Sequence, residues 1–206
     1  MQDRSVEHRL REEYFDYLPE IRRVLWQLET EIRFRTLPIL HDLKGPEQLV
    51  VRSRVKDCES ALKTLARLKG STTPEGRQFD PSRVEEYSIL GLPDLAGVRV
   101  LVFPNRRLDQ VDSTLRPYFQ DWAARPVKND RGEIVAPKYH GYCRDISLKV
   151  QGEYQVVPML VGLFWDVEHS AMYKFMAVAN SKEMRGRRAR VEEALAEFEQ
   201  GVERFL

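Results

Sequence analysis

Cysteine is scarce, with only Cys58 and Cys143 in 206 residues. They lie far apart and lack metal-ligand spacing, which excludes a disulfide framework and fits a reducing, cytoplasmic setting. An excess of one charge is also missing. Thirty-three Lys and Arg stand against 32 Asp and Glu, for a formal net charge of +1, so a globally basic nucleic-acid binder is not indicated. No long apolar run exists. The longest, Val156 to Trp165, contains Pro158 and falls well short of the roughly 20 residues that cross a bilayer, so no membrane span is expected. The opening Met1-Gln-Asp-Arg-Ser-Val-Glu-His8 is polar, and no secretory signal is expected from it. There is no internal repeat or low-complexity tract. The length suits one domain with a substantial core.

Apolar residues recur at helical spacing from Val6 to about Leu37 (Leu10, Tyr14, Leu18, Ile21, Leu25, Leu28, Ile32), predicting an amphipathic helix or a broken pair, with Pro19 the expected break. A second helix is expected from Asp57 or Cys58 to Leu68, ended by Gly70. Ser71 to Asp80 reads as a loop, and Pro81 to Leu90 as a short helix. The period then changes. Val98, Val100 and Val102 alternate with Arg99, Leu101 and Phe103 as in a strand. Leu108 to Phe119 resumes helical spacing, and Trp122 to Ala136 reads as a loop with a turn at Asn129 to Gly132. Ile146, Leu148 and Val150 predict a second strand, paired through a turn at Gln151-Gly152 with a third containing Tyr154 and Val156. Helices over Met159 to Phe175 and Val191 to Leu206 complete the chain. The expected architecture is α+β, a mixed sheet packed by helices. It divides into a helical part (1–90), a catalytic sheet with helices (91–180) and a terminal helix (188–206).

Asp94 and Glu153 each sit inside a strand-like stretch, and Arg54 and Lys56 open what reads as a basic helical face upstream. Metal-assisted phosphoryl transfer needs these groups. Hard oxygen ligands hold a divalent cation, cationic side chains neutralise phosphate oxygens, and a carboxylate takes a proton from the attacking hydroxyl. Each residue taken alone also has a bland reading: a solvated basic segment for Arg54 and Lys56, a turn cap for Asp94, an exposed strand position for Glu153.

Four short segments in fixed order over Val51 to Phe175 carry a family resemblance. They are Ser53-Arg-Val-Lys56 with Ser60; Asp94-Leu-Ala-Gly-Val-Arg99; Lys138 with Gly141-Tyr142; and Glu153-Tyr-Gln155 leading to Trp165-Asp-Val-Glu-His169 and Tyr173-Lys174. Together they resemble the synthetase domain of RelA/SpoT-type alarmone synthetases, in a small form without the hydrolase domain. His41-Asp42 looks like the hydrolase dipeptide, but its companion residues are missing.

The resemblance implies a nucleotidyltransferase-like fold and Mg²⁺-dependent transfer of pyrophosphate from ATP to the 3′-hydroxyl of GDP or GTP. Asp94 and Glu153 would bind the metal, with Glu153 also the base. Arg54, Lys56, Ser60 and Arg99 would meet ATP, Arg54 at the adenine and Lys56 at the phosphates; Arg106 and Arg107 could supplement Arg99, although an exposed turn after Pro104 is the favoured reading of that pair. Lys138 and Tyr142 would meet the acceptor, with Tyr142 stacking on its base; Gln155, on the face of Glu153, could orient that carboxylate or touch the acceptor, and Arg144 is a further acceptor candidate. Glu168 and His169 read as structural residues of a packed helix.

Two departures concern the acceptor. The family continues Glu-x-Gln with Ile-Arg-Thr, where this chain has Val156-Val-Pro158, and its strand histidine falls in register with Ile146. Arg144 is the candidate compensation. An alternative acceptor therefore stays open: a toxic member placing pyrophosphate on the 3′ end of tRNA, held by the basic cluster Lys182, Arg185, Arg187, Arg188 and Arg190. An antitoxin protein would then be a partner. The terminal helix is a candidate for homo-oligomer assembly.

Overall fold

The stripe of apolar residues that opens the chain closes over a five-stranded sheet. A computed structural model describes residues 6–73, 76–129, 131–143, 145–172 and 182–205. Helix α1 (Val6–Asp42) is continuous, with Pro19 and Pro38 inside it. Its buried positions Leu10, Tyr14, Ile21, Val24, Leu28, Ile32 and Ile39 run along one side past both prolines. Packing of that stripe outweighs the hydrogen bond that Pro19 removes, so the expected break does not occur.

Strand β1 (Gln48–Val55) follows, then α2 (Cys58–Lys69), capped by the Asp57 carboxylate, which accepts from the Ser60 N–H at 2.9 Å. A small hairpin, β2 (Ser71–Thr73) and β3 (Gly76–Gln78), replaces the expected loop. Short 3₁₀ turns over Pro81–Glu86 and Ile89–Gly91 lead to β4 (Ala96–Phe103) and α3 (Leu108–Leu115). The remaining elements are β5 (Ala123–Ala124), β6 (Val127–Lys128), β7 (Ile134–Ala136), β8 (Lys138–Tyr142), β9 (Gln151–Pro158), α4 (Met159–Met172) and α5 (Lys182–Glu203).

The main sheet has the order β1-β4-β9-β8-β5, with β4 and β9 parallel and the other pairs antiparallel. It is the mixed sheet of an α+β fold. Two strand assignments change. Ile146 to Val150 forms turns and bends, and the partner of β9 is Lys138–Tyr142, whose short aromatic run looks like a turn in sequence. Ser147 explains the first change: its hydroxyl accepts from the N–H groups of Lys149 and Val150 at 3.0 and 2.8 Å, a local alternative to a ladder. The helical part also contributes an edge strand, β1, so Arg54 lies on a strand rather than a helix.

One sheet face is largely apolar. Leu49, Val51, Val98, Val100, Val102, Tyr139, Tyr154 and Val156 pack against Leu28, Ile32 and Ile39 of α1 and Val111 and Leu115 of α3. Each such side chain contributes about 1.5–3 kcal/mol by leaving water. A second cluster joins α1 to α2 and to Ile89, Leu92 and Leu95 before β4. The opposite sheet face is divided. Leu101 and Val157 pack beneath Val161 and Trp165 of α4, and the other half is polar.

Candidate active site

Pleating sends alternate residues to opposite sheet faces, and the register aligns the polar half into two rows. Arg54, Gly97, Glu153 and His140 occupy one row across β1, β4, β9 and β8. Arg52, Arg99, Gln155 and Lys138 occupy the next. Asp94 joins from the turn before β4. The Lys56 N–H donates to the Leu95 carbonyl at 2.9 Å, which extends the β1–β4 pairing and brings the side chains of Lys56 and Asp94 together.

The two carboxylates are each held by a lysine. Lys56 Nζ donates to Asp94 Oδ2 at 2.5 Å, and Lys138 Nζ lies 3.1 Å from Glu153 Oε2. Gln155 Nε2 donates to Glu153 Oε1 at 2.7 Å, and Arg99 Nε donates to Gln155 Oε1 at 3.3 Å. Asp166 of α4 accepts from Arg99 and Arg52 at 2.6 Å each, bridging the helix to the sheet. Burial lowers the Arg99 pKa and Asp166 opposes that shift, but a guanidinium stays charged.

His140 is 6% exposed, and neither ring nitrogen has a hydrogen-bond partner. Burial, with the Arg125 charge second, pushes its pKa below the ordinary histidine value, against the pull of Glu153 and Asp94. Arg54 and Arg125 carry exposed guanidinium groups with no ion pair among the described residues. They provide free positive charge at the site.

Beside the sheet lies a cleft of about 340 Å³ lined by Glu31, Tyr118, Phe119, Asp121, Trp122 and Tyr142, among others. The Tyr142 hydroxyl accepts from Gln151 Nε2 at 3.0 Å while the residue remains 40% exposed. Trp122 covers the cross-strand pair Gly141 and Gly152, and a Cβ on Gly141 would fall 2.6 Å from its ring. Glycine permits that approach.

The donor set suits a hard divalent cation. No group of three or more His, Cys, Asp or Glu side chains forms a metal cage among the described residues, but Mg²⁺ is ordinarily held by one or two carboxylates plus phosphate and water oxygens. Asp94 Oδ1 is buried without a hydrogen-bond partner, as a carboxylate oxygen reserved for a cation would be.

Other sequence candidates lie apart from these rows. Ser60 is in the first turn of α2, where its backbone and hydroxyl serve Asp57. Arg106 and Arg107 converge on the buried Glu47 at 2.8 and 2.7 Å, so they are structural and do not supplement Arg99. Glu168 pairs with Arg188, which also meets Glu192. Arg144, Tyr173, Lys174 and the side chains of His169, Lys182 and Arg185 lie outside the described residues. Sequence reasoning missed Arg52, Arg125, His140 and Asp166. Strand alternation through Leu49 and Val51 would have placed Arg52 beside Arg54, and alternation from Lys138 would have placed His140 on the same face.

No protein-family model and no curated protein sequence matches the chain. Solved structures do. The chain is similar to small alarmone synthetase 1 from Bacillus subtilis bound to its product pppGpp, with TM-score 0.66 and 18% identity over 94% of this chain and 96% of that one. The same Bacillus subtilis protein bound to AMPCPP matches with TM-score 0.62 and 19% identity over 93% and 94% of the two chains. A GTP pyrophosphokinase family protein from Streptococcus pneumoniae matches with TM-score 0.59 and 21% identity over 92% of each. At these identities the likeness shows a shared fold over nearly the whole chain.

Proposed function

We propose that the chain is an Mg²⁺-dependent pyrophosphokinase of the alarmone-synthetase family, transferring pyrophosphate from ATP to the 3′-hydroxyl of GDP or GTP. The observation that carries this reading is the polar sheet face, on which Asp94 and Glu153 meet Lys56, Lys138, Arg99 and the unpaired Arg54. Structures of this fold that contain AMPCPP or pppGpp support it.

In this reading Arg54 stacks on the adenine, and Lys56 and Arg99 neutralise the ATP phosphates. Asp94 and Glu153 hold the cation, which when bound supplies charge neutralisation to the phosphate oxygens. Glu153 accepts the 3′-hydroxyl proton as that oxygen bonds to the β-phosphorus. The bond from the β-phosphorus to the oxygen bridging the α-phosphate breaks, and AMP leaves with that oxygen. Gln155 orients Glu153 through the 2.7 Å hydrogen bond. Lys138 holds acceptor phosphates, and Tyr142 offers its exposed ring to the acceptor base.

Incubation with γ-labelled ATP and either GTP or deacylated tRNA tests this. Label on the guanine nucleotide is the expected result. Label on tRNA alone overturns the acceptor, and label on neither overturns the enzymatic reading.

A further inference from the structure

The structure assigns His140 a task that the two carboxylates and the lysines leave undone: we infer that its imidazole binds the acceptor's ribose 2′-hydroxyl and makes the site selective for ribonucleotides. The inference rests on the pyrophosphokinase reading above and names the specificity device of that same site.

His140 and Glu153 are direct cross-strand partners, on the polar face. Side chains so placed start about 5 Å apart, so a group engaged by His140 is an immediate neighbour of a group engaged by Glu153. The ring is 6% exposed and both nitrogens lack partners. A buried polar group left unsatisfied is destabilising, and a ligand that supplies the missing hydrogen bond recovers that loss.

The ring's chemistry narrows the ligand. An imidazole offers two ring nitrogens on a short, rigid side chain, which suits one small polar group better than a phosphate. Phosphates have better partners close by in Lys138, on the same face of β8, and in Arg125, whose backbone N–H donates to the Lys138 carbonyl at 2.8 Å. The partner of His140 is therefore an uncharged donor or acceptor next to the atom that reacts at Glu153. On a ribose whose 3′-hydroxyl faces Glu153, the group on the adjacent carbon is the 2′-hydroxyl. It can donate to the ring's lone pair or accept from its N–H.

The test compares GTP with 2′-deoxyGTP, which keeps the reacting 3′-hydroxyl, as acceptors for the wild-type chain and for H140A, H140N and H140Q, each checked for a native melting transition. A site built around a substrate hydroxyl rejects the analogue lacking it strongly. Wild type is expected to favour GTP in kcat/KM by about 100-fold or more. H140A should bring the two acceptors to within about threefold, through loss on GTP with little change on 2′-deoxyGTP. H140N and H140Q keep hydrogen-bonding capacity and should restore part of the preference. A merely structural role for His140 would lower both acceptors alike and leave their ratio unchanged. An unchanged ratio in H140A, or a wild type indifferent to the 2′-hydroxyl, overturns the inference and leaves the pyrophosphokinase reading standing. A wild type that transfers to neither nucleotide overturns both.

Discussion

Lys56 and Asp94, 38 residues apart in the chain, meet at 2.5 Å with side chains only 11% and 22% exposed. One carboxylate oxygen is taken by the ammonium and the other is buried without a partner. Asp94→Asn keeps the shape and removes the charge, and its transfer rate should fall at least about 100-fold. Far-UV circular dichroism should be unchanged, and EDTA should reduce the wild type to a similar level. Full activity in Asp94→Asn would disprove its place in the machinery.

Asp166 holds Arg99 and Arg52 in one orientation above the sheet. Asp166→Ala should raise the KM for ATP roughly tenfold while changing kcat less, because it frees the arginines without removing them. Steady-state kinetics with varied ATP would show this. An equal fall in kcat with constant KM would contradict it.

Glu47 sits buried beneath Arg106 and Arg107, whose hydrogen bonds, Arg107 first, hold its pKa down to about 2. A depressed folded-state pKa means the unfolded chain binds the proton more readily. The stabilisation is therefore complete above about pH 4.5 and is lost as the pH falls toward 2. Arg107→Ala should cost about 1–3 kcal/mol at pH 7 in urea unfolding and flatten that acid dependence.

Glu199 of α5 has the opposite sign. It is fully buried near Asn105 and Glu203, and desolvation pushes its pKa up to about 7. Here the folded state binds the proton more readily, so stability falls as the pH rises from about 4.5 through 7. The loss amounts to about 3 kcal/mol at most. Glu199→Gln should remove the dependence, and its melting temperature should exceed that of wild type at pH 8.

Gly141 supports the Trp122 ring, and a methyl at that position would meet it at 2.6 Å. Gly141→Ala should cost about 1–3 kcal/mol by overpacking, measured by chemical denaturation, and should disturb the cleft lined by Trp122 and Tyr142.

The sequence made the central strand legible because Val98, Val100 and Val102 repeat at the strand period and are buried on one face. It made α1 legible for the same kind of reason, but not its passage through Pro19, which depends on a core that local propensity does not see. β8 was hidden because Lys138-Tyr-His-Gly-Tyr142 has little apolar alternation. Its outer face carries His140 toward the polar rows, and Gly141 is set by Trp122. Ile146 to Val150 misled in the reverse way, since its alternation is real but Ser147 draws the backbone into bends. The carboxylates and basic residues stood out through motif order. Asp166 and His140 did not, because their importance arises only from strand register and from the helix above it.

Parallel strands β4 and β9 also dictate when the site can exist. They cannot pair through a tight hairpin, and everything between Phe103 and Gln151 must emerge before the second carboxylate can lie beside the first. During synthesis, a chain that has reached Tyr142 possesses Asp94 and both lysines but no Glu153. The polar rows of that chain stay open until β9 takes its place between β4 and β8.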